Sequence, residues 1–311
     1  MTGANRQRGV ALITVLLVLA LASVAVVSMS TERQADIRRT DNLLLAGQRW
    51  QWVLALEQQA GATLLQDAKT NAVDSSGDSW HQQSFSADMA GQRAAARLDD
   101  LQGRINLNNV FRDGELSSED VSRLRRLLVI LKLEPKLIDA ILDWTDADME
   151  IRYPHGAEDE TYTRKRPPYR AANRPFADLG ELLLVEGIDR AAYQALLPYV
   201  YVAEGYAPLN VNTASATVLR CLADDISADQ AESMFRAAGK PFAKVEDFLK
   251  DEAVADLKLG KYGLSVGSEH FLLSGSVEAG TGRLRFESQL QRDKDVSVVV
   301  VKRQRLGAAD G

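Results

Sequence analysis

An uncharged stretch of about 22 residues near the N-terminus, residues 10–31, constrains this chain more than any other feature. At about 1.5 Å per residue, a helix of this length is roughly 33 Å long, which is enough to cross a bilayer core of about 30 Å. Residues 1–9 carry Arg6 and Arg8 and no acidic side chain. By the positive-inside rule, the N-terminus is therefore expected in the cytoplasm and everything after Thr31 on the outer side of the membrane.

The apolar segment is predicted to continue as an amphipathic helix over residues 32–69. Apolar side chains recur there at three- and four-residue steps among charged ones; they are Leu43, Ala46, Trp50, Val53, Leu54, Leu64 and Leu65. The small residues 22–25 would also suit the cleavage site of a removable signal. A removed signal has no need to be in register with a long helix, however, so we expect the apolar helix to be retained.

The remaining chain predicts an antiparallel sheet built from two distant pieces. Residues 82–88 and 93–101 are extended stretches, and clearer strands are expected at residues 270–278, 283–291 and 296–303. Gly280 and Gly282 suit a short hairpin between the first two of these later strands. The fold class is therefore α+β, with a long N-terminal helix packed on the sheet.

A large all-helical domain, residues 103–263, is predicted between the strands. Three helix-opening patterns of the capping-box type lie within it; they are Ser117-x-x-Asp120, Asp178-x-x-Glu181 and Ser227-x-x-Gln230. Two motifs also occur twice. Pro-Phe-Ala appears at residues 175–177 and 241–243, and an apolar-Asn-apolar-Asn run appears at residues 105–108 and 209–212. The repeats indicate two copies of a helix-hairpin unit, in which asparagine is expected to serve turns and caps.

The strongest polar cluster is an acidic loop. Residues 143–150 contain four carboxylates, and residues 158–160 contain three more. Gathered carboxylates repel one another unless a cation offsets them, and hard oxygen ligands favour calcium over zinc. The spacing is not that of an EF-hand, because Ile151 stands at the position of the loop glycine and Ala157 at that of the closing glutamate. From the residues alone, a metal site and a solvated acidic loop both remain open.

The sequence gives little support for nucleic-acid binding or for catalysis. The net charge of −6 opposes binding to a phosphate backbone, and Asp189 replaces the second glycine of a possible DNA-binding helix-hairpin-helix at residues 185–189. Residues 263–267 match a nucleophile elbow, but a strand is predicted after them where that motif needs a helix. His81, His155 and His270 are scattered and Cys221 has no marked partner. We expect no catalytic residue and no enzyme activity.

The N-terminus resembles a type IV prepilin leader, through Arg6-Gln7-Arg8-Gly9 and the apolar run that follows. The resemblance implies that a prepilin peptidase cuts after Gly9 and that Val10 is then methylated. Prepilins usually carry glutamate as the fifth mature residue, where this chain has Thr14. Since a carboxylate in a bilayer needs a partner, and the family's glutamate is paired with the amine of the neighbour ahead, a subunit without it needs no neighbour ahead. Together with the large insertion, Thr14 makes the chain similar to the K-type minor pseudopilin of the type II secretion system.

This resemblance implies a structural subunit at the tip of a secretion pseudopilus, which initiates or limits the filament and aids export of folded proteins across the outer membrane. The alternative is a tip or minor pilin of a type IV pilus with an adhesive or DNA-catching head. The implied partners are the I-, J- and H-type minor pseudopilins, the prepilin peptidase and the inner-membrane assembly platform, and no nucleic acid. The implied location is the inner membrane, crossed once, with the head in the periplasm.

The resemblance also assigns the domains and favours calcium. The expected organisation is a leader at residues 1–9, a transmembrane segment at 10–31, an amphipathic helix at 32–69, a discontinuous head at 70–102 and 264–311, and the insertion at 103–263. Calcium binds this family in the acidic stretch after the first helices of the insertion. The ligands expected here, in a structural role, are Asp143, Asp146, Asp148, Glu158 and Asp159.

Overall fold

A computed structural model describes residues 4–89, 91–236, 240–257, 259–280, 282–293 and 297–307, with side chains from Leu12 onward except that of Met89. The helices are α1 Ala4–Thr70, α2 Ser79–Gln82, α3 Ser118–Ile130, α4 Leu137–Thr145, α5 Asp159–Tyr162, α6 Arg190–Leu196, α7 Ala216–Leu219, α8 Ala228–Met234 and α9 Val245–Leu249. Short 3-10 helices span Leu107–Val110, Leu179–Leu184, Arg220–Leu222 and Ala255–Leu257. The strands are β1 Phe85–Met89, β2 Gln92–Asp100, β3 Ile105–Asn106, β4 Phe111–Arg112, β5 Glu115–Leu116, β6 Val200–Tyr201, β7 Leu209–Asn210, β8 Leu264–Ser265, β9 His270–Ala279, β10 Gly282–Asp293 and β11 Ser297–Leu306.

The predicted apolar and amphipathic segments form one continuous helix. α1 contains 67 residues, and it is long and apolar enough to cross a membrane, with a mean hydropathy of 2.8 in its most apolar window. Residues 12–43 are exposed along their whole length. Packing on the head begins near Leu45 and buries a stripe at three- and four-residue steps, formed by Val53, Leu56, Ala60 and Leu64. The long N-terminal helix predicted from the sequence is confirmed.

The head is a five-stranded antiparallel sheet in the order β1-β2-β9-β10-β11. β2 pairs with β9 in a register that places Leu98 opposite Leu273, so the two distant pieces of sequence meet as predicted. The buried face packs on α1 and supplies Phe271, Phe286 and Leu290 to a shared core. The last strand was predicted to begin at Val296, which lies outside the described residues.

The insertion between β2 and β9 has a separate hydrophobic core, formed by residues between Ile105 and Leu264. It contains the predicted helices and also three two-stranded pairings that the sequence did not reveal. β3 with β6 and β7 with β8 are parallel, whereas β4 with β5 is an antiparallel hairpin. Each strand is two residues long, which is too short to produce a recognisable alternation of polar and apolar residues.

The second asparagine of each sequence repeat makes the same pair of hydrogen bonds. Asn108 accepts from the Phe176 N–H at 2.8 Å and donates to the Phe176 carbonyl at 3.0 Å. In the second copy, Asn212 accepts from the Phe242 N–H at 2.8 Å and donates to the Phe242 carbonyl at 3.1 Å. In both copies, a buried asparagine binds the backbone of the phenylalanine in the Pro-Phe-Ala motif. The asparagines satisfy buried backbone groups that would otherwise cost about 1–3 kcal/mol each.

The insertion joins the head beside the C-terminal end of α1. Soon after that helix ends, the Asp74 N–H donates to the Val266 carbonyl at 2.9 Å, and Asn210 donates to the Asp74 carbonyl at 3.0 Å. At the end of β2, the buried Asp100 carboxylate accepts from Ser268 and from Thr213, both at 2.6 Å. The helix end, the sheet and the insertion are therefore fastened together by one buried polar network.

Candidate functional site: the anchoring helix and the acidic loop

The predicted processing segment lies at the start of α1. The backbone at Gly9 and Val10 is helical, and the Val10 side chain lies outside the described part of the chain. Thr14 lies one helical turn after Val10, and its side chain is exposed. Cleavage at Gly9, methylation at Val10 and a filament-position role for Thr14 stay predictions.

The acidic loop connects α4 to α5 and buries two of its carboxylates beside an arginine. Asp143, on the last turn of α4, and Asp146, just after it, are 0% and 6% exposed. The Arg152 guanidinium lies 3.4 Å from Asp143 Oδ1 and 2.9 Å from Asp146 Oδ2, and the Arg152 N–H donates to Asp143 Oδ2 at 3.2 Å. Burial raises the pKa of Asp143 to about 6, which indicates a site that disfavours its negative charge.

Glu158 is the third buried carboxylate of the loop and is only 3% exposed. Neither of its oxygens has a hydrogen-bond partner among the described residues, and the same holds for Asp143 Oδ1 and Asp146 Oδ1. Burial, and then the charges of Asp143 and Asp146, raise the pKa of Glu158 to about 7. Three acidic groups and one arginine leave an excess of two negative charges, and a buried carboxylate without a partner is costly.

The other two predicted ligands have different surroundings. Asp148 is exposed, and its Oδ1 accepts from the Glu150 N–H at 2.8 Å. Asp159 is partly buried and accepts from the Ala171 N–H at 3.0 Å. Of the five predicted ligands, Asp143, Asp146 and Glu158 are therefore buried, and Arg152 contacts the first two. Asp148 is exposed and Asp159 is partly buried.

Gly156 is required by the close packing of this loop. A side-chain carbon at that position would lie 2.1 Å from Asp143 Oδ2 and 2.7 Å from the Arg152 carbonyl oxygen. Only glycine permits such an approach, so the backbone at residue 156 can pack directly against the Asp143 carboxylate.

Sequence reasoning missed two features of these carboxylates. The first is Arg152, the lone cation inside an acidic run, which could have been recognised as an ion-pair partner. The second is a separate trio, Asp67, Asp74 and Asp78, whose carboxylates each place an oxygen within 4.8 Å of the others. These three residues span the end of α1 and the loop after it, and nothing in their spacing resembles a known motif.

The key residues of the alternative motifs make other contacts in the structure. Asp189 caps α6 and accepts from the Ala192 N–H at 2.8 Å, so a carboxylate lies where a phosphate would bind. Ser265 lies in β8, which pairs with β7, and its hydroxyl donates to the Gly267 carbonyl at 2.6 Å. Cys221 is buried, and burial raises the pKa of its thiol to about 12. The described geometry thus assigns all three residues structural surroundings.

Two family models, both described as type II secretion system protein K, match residues 103–205 and residues 209–267. Type II secretion system protein K of Pseudomonas aeruginosa is 36% identical over 310 residues, which cover 96% of this chain and 92% of the relative. The chain belongs to the type II secretion system protein K family. Members from Klebsiella pneumoniae and Aeromonas hydrophila are 33% and 31% identical, over 96% and 99% of this chain. This is the K-type family that the leader and the insertion predicted.

A solved structure has the same fold. The crystal structure of the GspK-GspI-GspJ complex from enterotoxigenic Escherichia coli contains a chain that matches with a TM-score of 0.76. The match is 22% identical and covers 87% of this chain and all of the other. The first family model ends at residue 205 of this chain and the second begins at residue 209. The second asparagine repeat also begins at residue 209.

Proposed function

We propose that this chain is the subunit at the tip of a type II secretion pseudopilus, where it acts as a structural minor pseudopilin. The observation that carries the proposal is the position of the insertion, which joins the head beside the C-terminal end of α1 through Asp74, Val266 and Asn210. If α1 enters the membrane with its N-terminal half, this end of the head is the one farthest from the membrane. The insertion, which is more than half of the chain, then joins the head at the end where the subunit ahead would have to sit.

Thr14 supports the same position for a separate physical reason. A carboxylate in the bilayer costs several kcal/mol without a partner, and in prepilins that partner is taken to be the amine of the subunit ahead. A threonine can satisfy its hydroxyl within its own helix. A subunit with Thr14 therefore enters the membrane without needing a subunit above it.

The tip position can be tested with Thr14→Glu in cells that assemble pseudopili. Wild-type protein, detected by immunogold labelling, is expected at one end of each filament, whereas Thr14→Glu is expected also along the shaft. Ser23→Glu is the matched control because it adds the same charge deeper in the apolar segment, away from the family's glutamate position. It should impair membrane insertion without directing the chain into the shaft. Wild-type labelling along the shaft would overturn the tip assignment.

We propose that the chain is processed as a prepilin, with cleavage after Gly9 and methylation of Val10. Mass spectrometry of the protein from cells with and without the prepilin peptidase is expected to give a methylated N-terminus at Val10 only when the peptidase is present. An uncut chain, or a cut near Ala25, would show that it is not a prepilin substrate.

We propose that the acidic loop binds calcium in a structural role, with Asp143, Asp146 and Glu158 as the principal ligands. Support comes from four of their buried oxygens, which have no hydrogen-bond partner in the described part of the chain, and from the excess of negative charge around Arg152. When bound, calcium would supply two positive charges to groups that burial otherwise disfavours, and it would link the end of α4 to the start of α5. Asp148 and Asp159 would contribute from the edges of the loop.

Glu158→Gln tests this calcium site, with the exposed Glu160→Gln as its control. Calorimetry with calcium chloride should show that Glu158→Gln weakens one binding event at least tenfold, whereas Glu160→Gln leaves it unchanged. Equal binding by both variants would remove Glu158 from the site.

The proposed partners follow from the fold and the family. Because a chain of the same fold is solved in the GspK-GspI-GspJ complex, we infer that the I-type and J-type minor pseudopilins are partners here, and that the H-type joins them through α1 and the head. The assembly platform of the inner membrane receives the helix, and the head resides in the periplasm. The role is structural and requires no catalytic residue.

A further inference from the structure

A second group of carboxylates lies in the head, at the point where α1 ends. Asp67 is on the last turn of α1, Asp74 is in the loop that follows, and Asp78 precedes α2. Each offers one oxygen, and the three oxygens lie within 4.8 Å of one another. Calcium binds oxygen at about 2.3–2.6 Å, so ligands on opposite sides of the ion are separated by about 5 Å at most. The spacing fits one ion between the three carboxylates.

Burial disfavours the negative charge of these carboxylates. Asp74 is 2% exposed, and its Oδ1 has no hydrogen-bond partner among the described residues. Asp67 Oδ2 is also buried without a hydrogen bond, and its nearest cation, Arg292 Nη1, is 3.9 Å away. Burial, followed by the charges of Asp78 and Asp74, raises the pKa of Asp67 to about 6. Two buried oxygens thus lack the donor that a carboxylate normally finds.

Arg292 compensates only part of this charge. Its guanidinium contacts Asp74 Oδ2 and also donates to the Ser268 carbonyl at 2.7 Å. Among the described residues, Asp78 accepts from two neutral donors, the Asn71 amide at 3.2 Å and the Ser75 N–H at 2.7 Å. Three carboxylates and one guanidinium leave two negative charges, which is the charge that one divalent cation neutralises.

We infer that Asp67, Asp74 and Asp78 form a second calcium site, distinct from the acidic loop of the insertion. An all-oxygen set of flexible carboxylates suits calcium better than the smaller ions, which demand stricter geometry. The ion would tie the last turn of α1 to the Asp74 loop, which is already bonded to the insertion through Val266 and Asn210. Calcium would then hold the anchoring helix and the insertion in a fixed relation.

The test uses full-length protein in detergent, stripped with a chelator and titrated with calcium chloride. Asp67→Asn is the first variant, because Asp67 Oδ2 has an ionic contact but no hydrogen bond to lose. Asp88→Asn, an exposed acid of the same head, is the control. Each is made in wild type and in Glu158→Gln, so that the two sites are measured separately.

In the Glu158→Gln background, calorimetry is expected to show one remaining calcium-binding event. Asp67→Asn should weaken it at least tenfold and Asp88→Asn should not. Hydrogen exchange supplies a local measurement, since calcium should slow exchange of peptides covering residues 67–78 in Glu158→Gln and not in the Asp67→Asn double variant. If folded Glu158→Gln protein binds no calcium, or if exchange at residues 67–78 is unchanged by calcium, the second site does not exist. Neither result would bear on the tip position.

Discussion

A buried ion pair joins α1 to the sheet, and the head should lose more stability when one of its two residues is replaced than when the other is. Glu57 is 5% exposed on the buried face of α1. It accepts from Arg303 Nε at 2.8 Å, from Arg303 Nη2 at 2.8 Å and from the Ser288 hydroxyl at 2.6 Å. Arg303 on β11 is 40% exposed, so only one member of the pair is fully removed from water.

Arg303→Met is expected to lower the free energy of unfolding by about 2–3 kcal/mol. Removing one member of a buried pair typically costs about 3–5 kcal/mol because the other charge stays buried, and the partial exposure of Arg303 places this pair below that range. Glu57→Met should cost less, about 1 kcal/mol, because the arginine it leaves behind can reach water. The double variant Glu57→Met with Arg303→Met should lie within about 1 kcal/mol of wild type, since no charge then remains buried.

Urea unfolding of residues 44–311, followed by tryptophan fluorescence, measures these free energies. The truncation removes only residues whose side chains are exposed or lie outside the described part. Arg305→Met is the matched control on the same strand; Arg305 stacks on Trp50 at 4.8 Å and should cost about 0.5–1 kcal/mol. Equal losses from Arg303→Met and Glu57→Met, or a double variant as unstable as Arg303→Met, would refute the reasoning.

Three further outcomes are expected. Burial raises the pKa of Asp100 from 3.8 to about 6, so the stability that its proton contributes is lost as the pH rises through about 6. In urea titrations, the free energy of unfolding of the wild type, relative to that of Asp100→Asn, should fall by about 2–3 kcal/mol between about pH 4 and pH 7. A difference between the two proteins that does not change with pH would contradict this. Asn212→Ala should cost about 2–4 kcal/mol of unfolding free energy, because the Phe242 N–H and carbonyl lose their partner, and a loss below about 0.5 kcal/mol would show that the repeat contact is dispensable. Gly156→Ala should weaken calcium binding to the acidic loop at least tenfold in calorimetry, while Gly47→Ala, with open space around it, should not; unchanged affinity in Gly156→Ala would show that the loop can move away.

Much of the fold was predictable because it rests on long, regular patterns. The uncharged run and the stripe that includes Val53 and Leu64 give a helix period over tens of residues. Strands of about ten residues, bounded by glycine at residue 280, likewise carry enough alternation to be recognised. The short connection predicted between the strands at residues 270–278 and 283–291 indicates an antiparallel hairpin.

The short pairings and the site geometry were not predictable, since they depend on tertiary contacts. β3 and β6 are two residues each and are joined across more than ninety residues of chain. At the acidic loop, composition indicated the carboxylates but could not distinguish Asp143, which is buried against Arg152, from Asp148, which is exposed. The trio of Asp67, Asp74 and Asp78 forms only because the chain turns after α1, and sequence spacing does not encode that turn.

The exposed length of α1 has a consequence for the subunit before it assembles. If residues 10–31 fill the bilayer, residues 32–44 form a stalk of roughly 20 Å at about 1.5 Å per residue, which holds the head clear of the lipid surface. Three large apolar side chains of this stalk are exposed to water; Ile37, Leu43 and Leu44 are 61%, 74% and 61% exposed. Covering each with a neighbouring helix would contribute about 1.5–3 kcal/mol. A lone subunit thus keeps exposed apolar surface just above the membrane. Packing against the helices of neighbouring pseudopilin subunits would remove this surface from water.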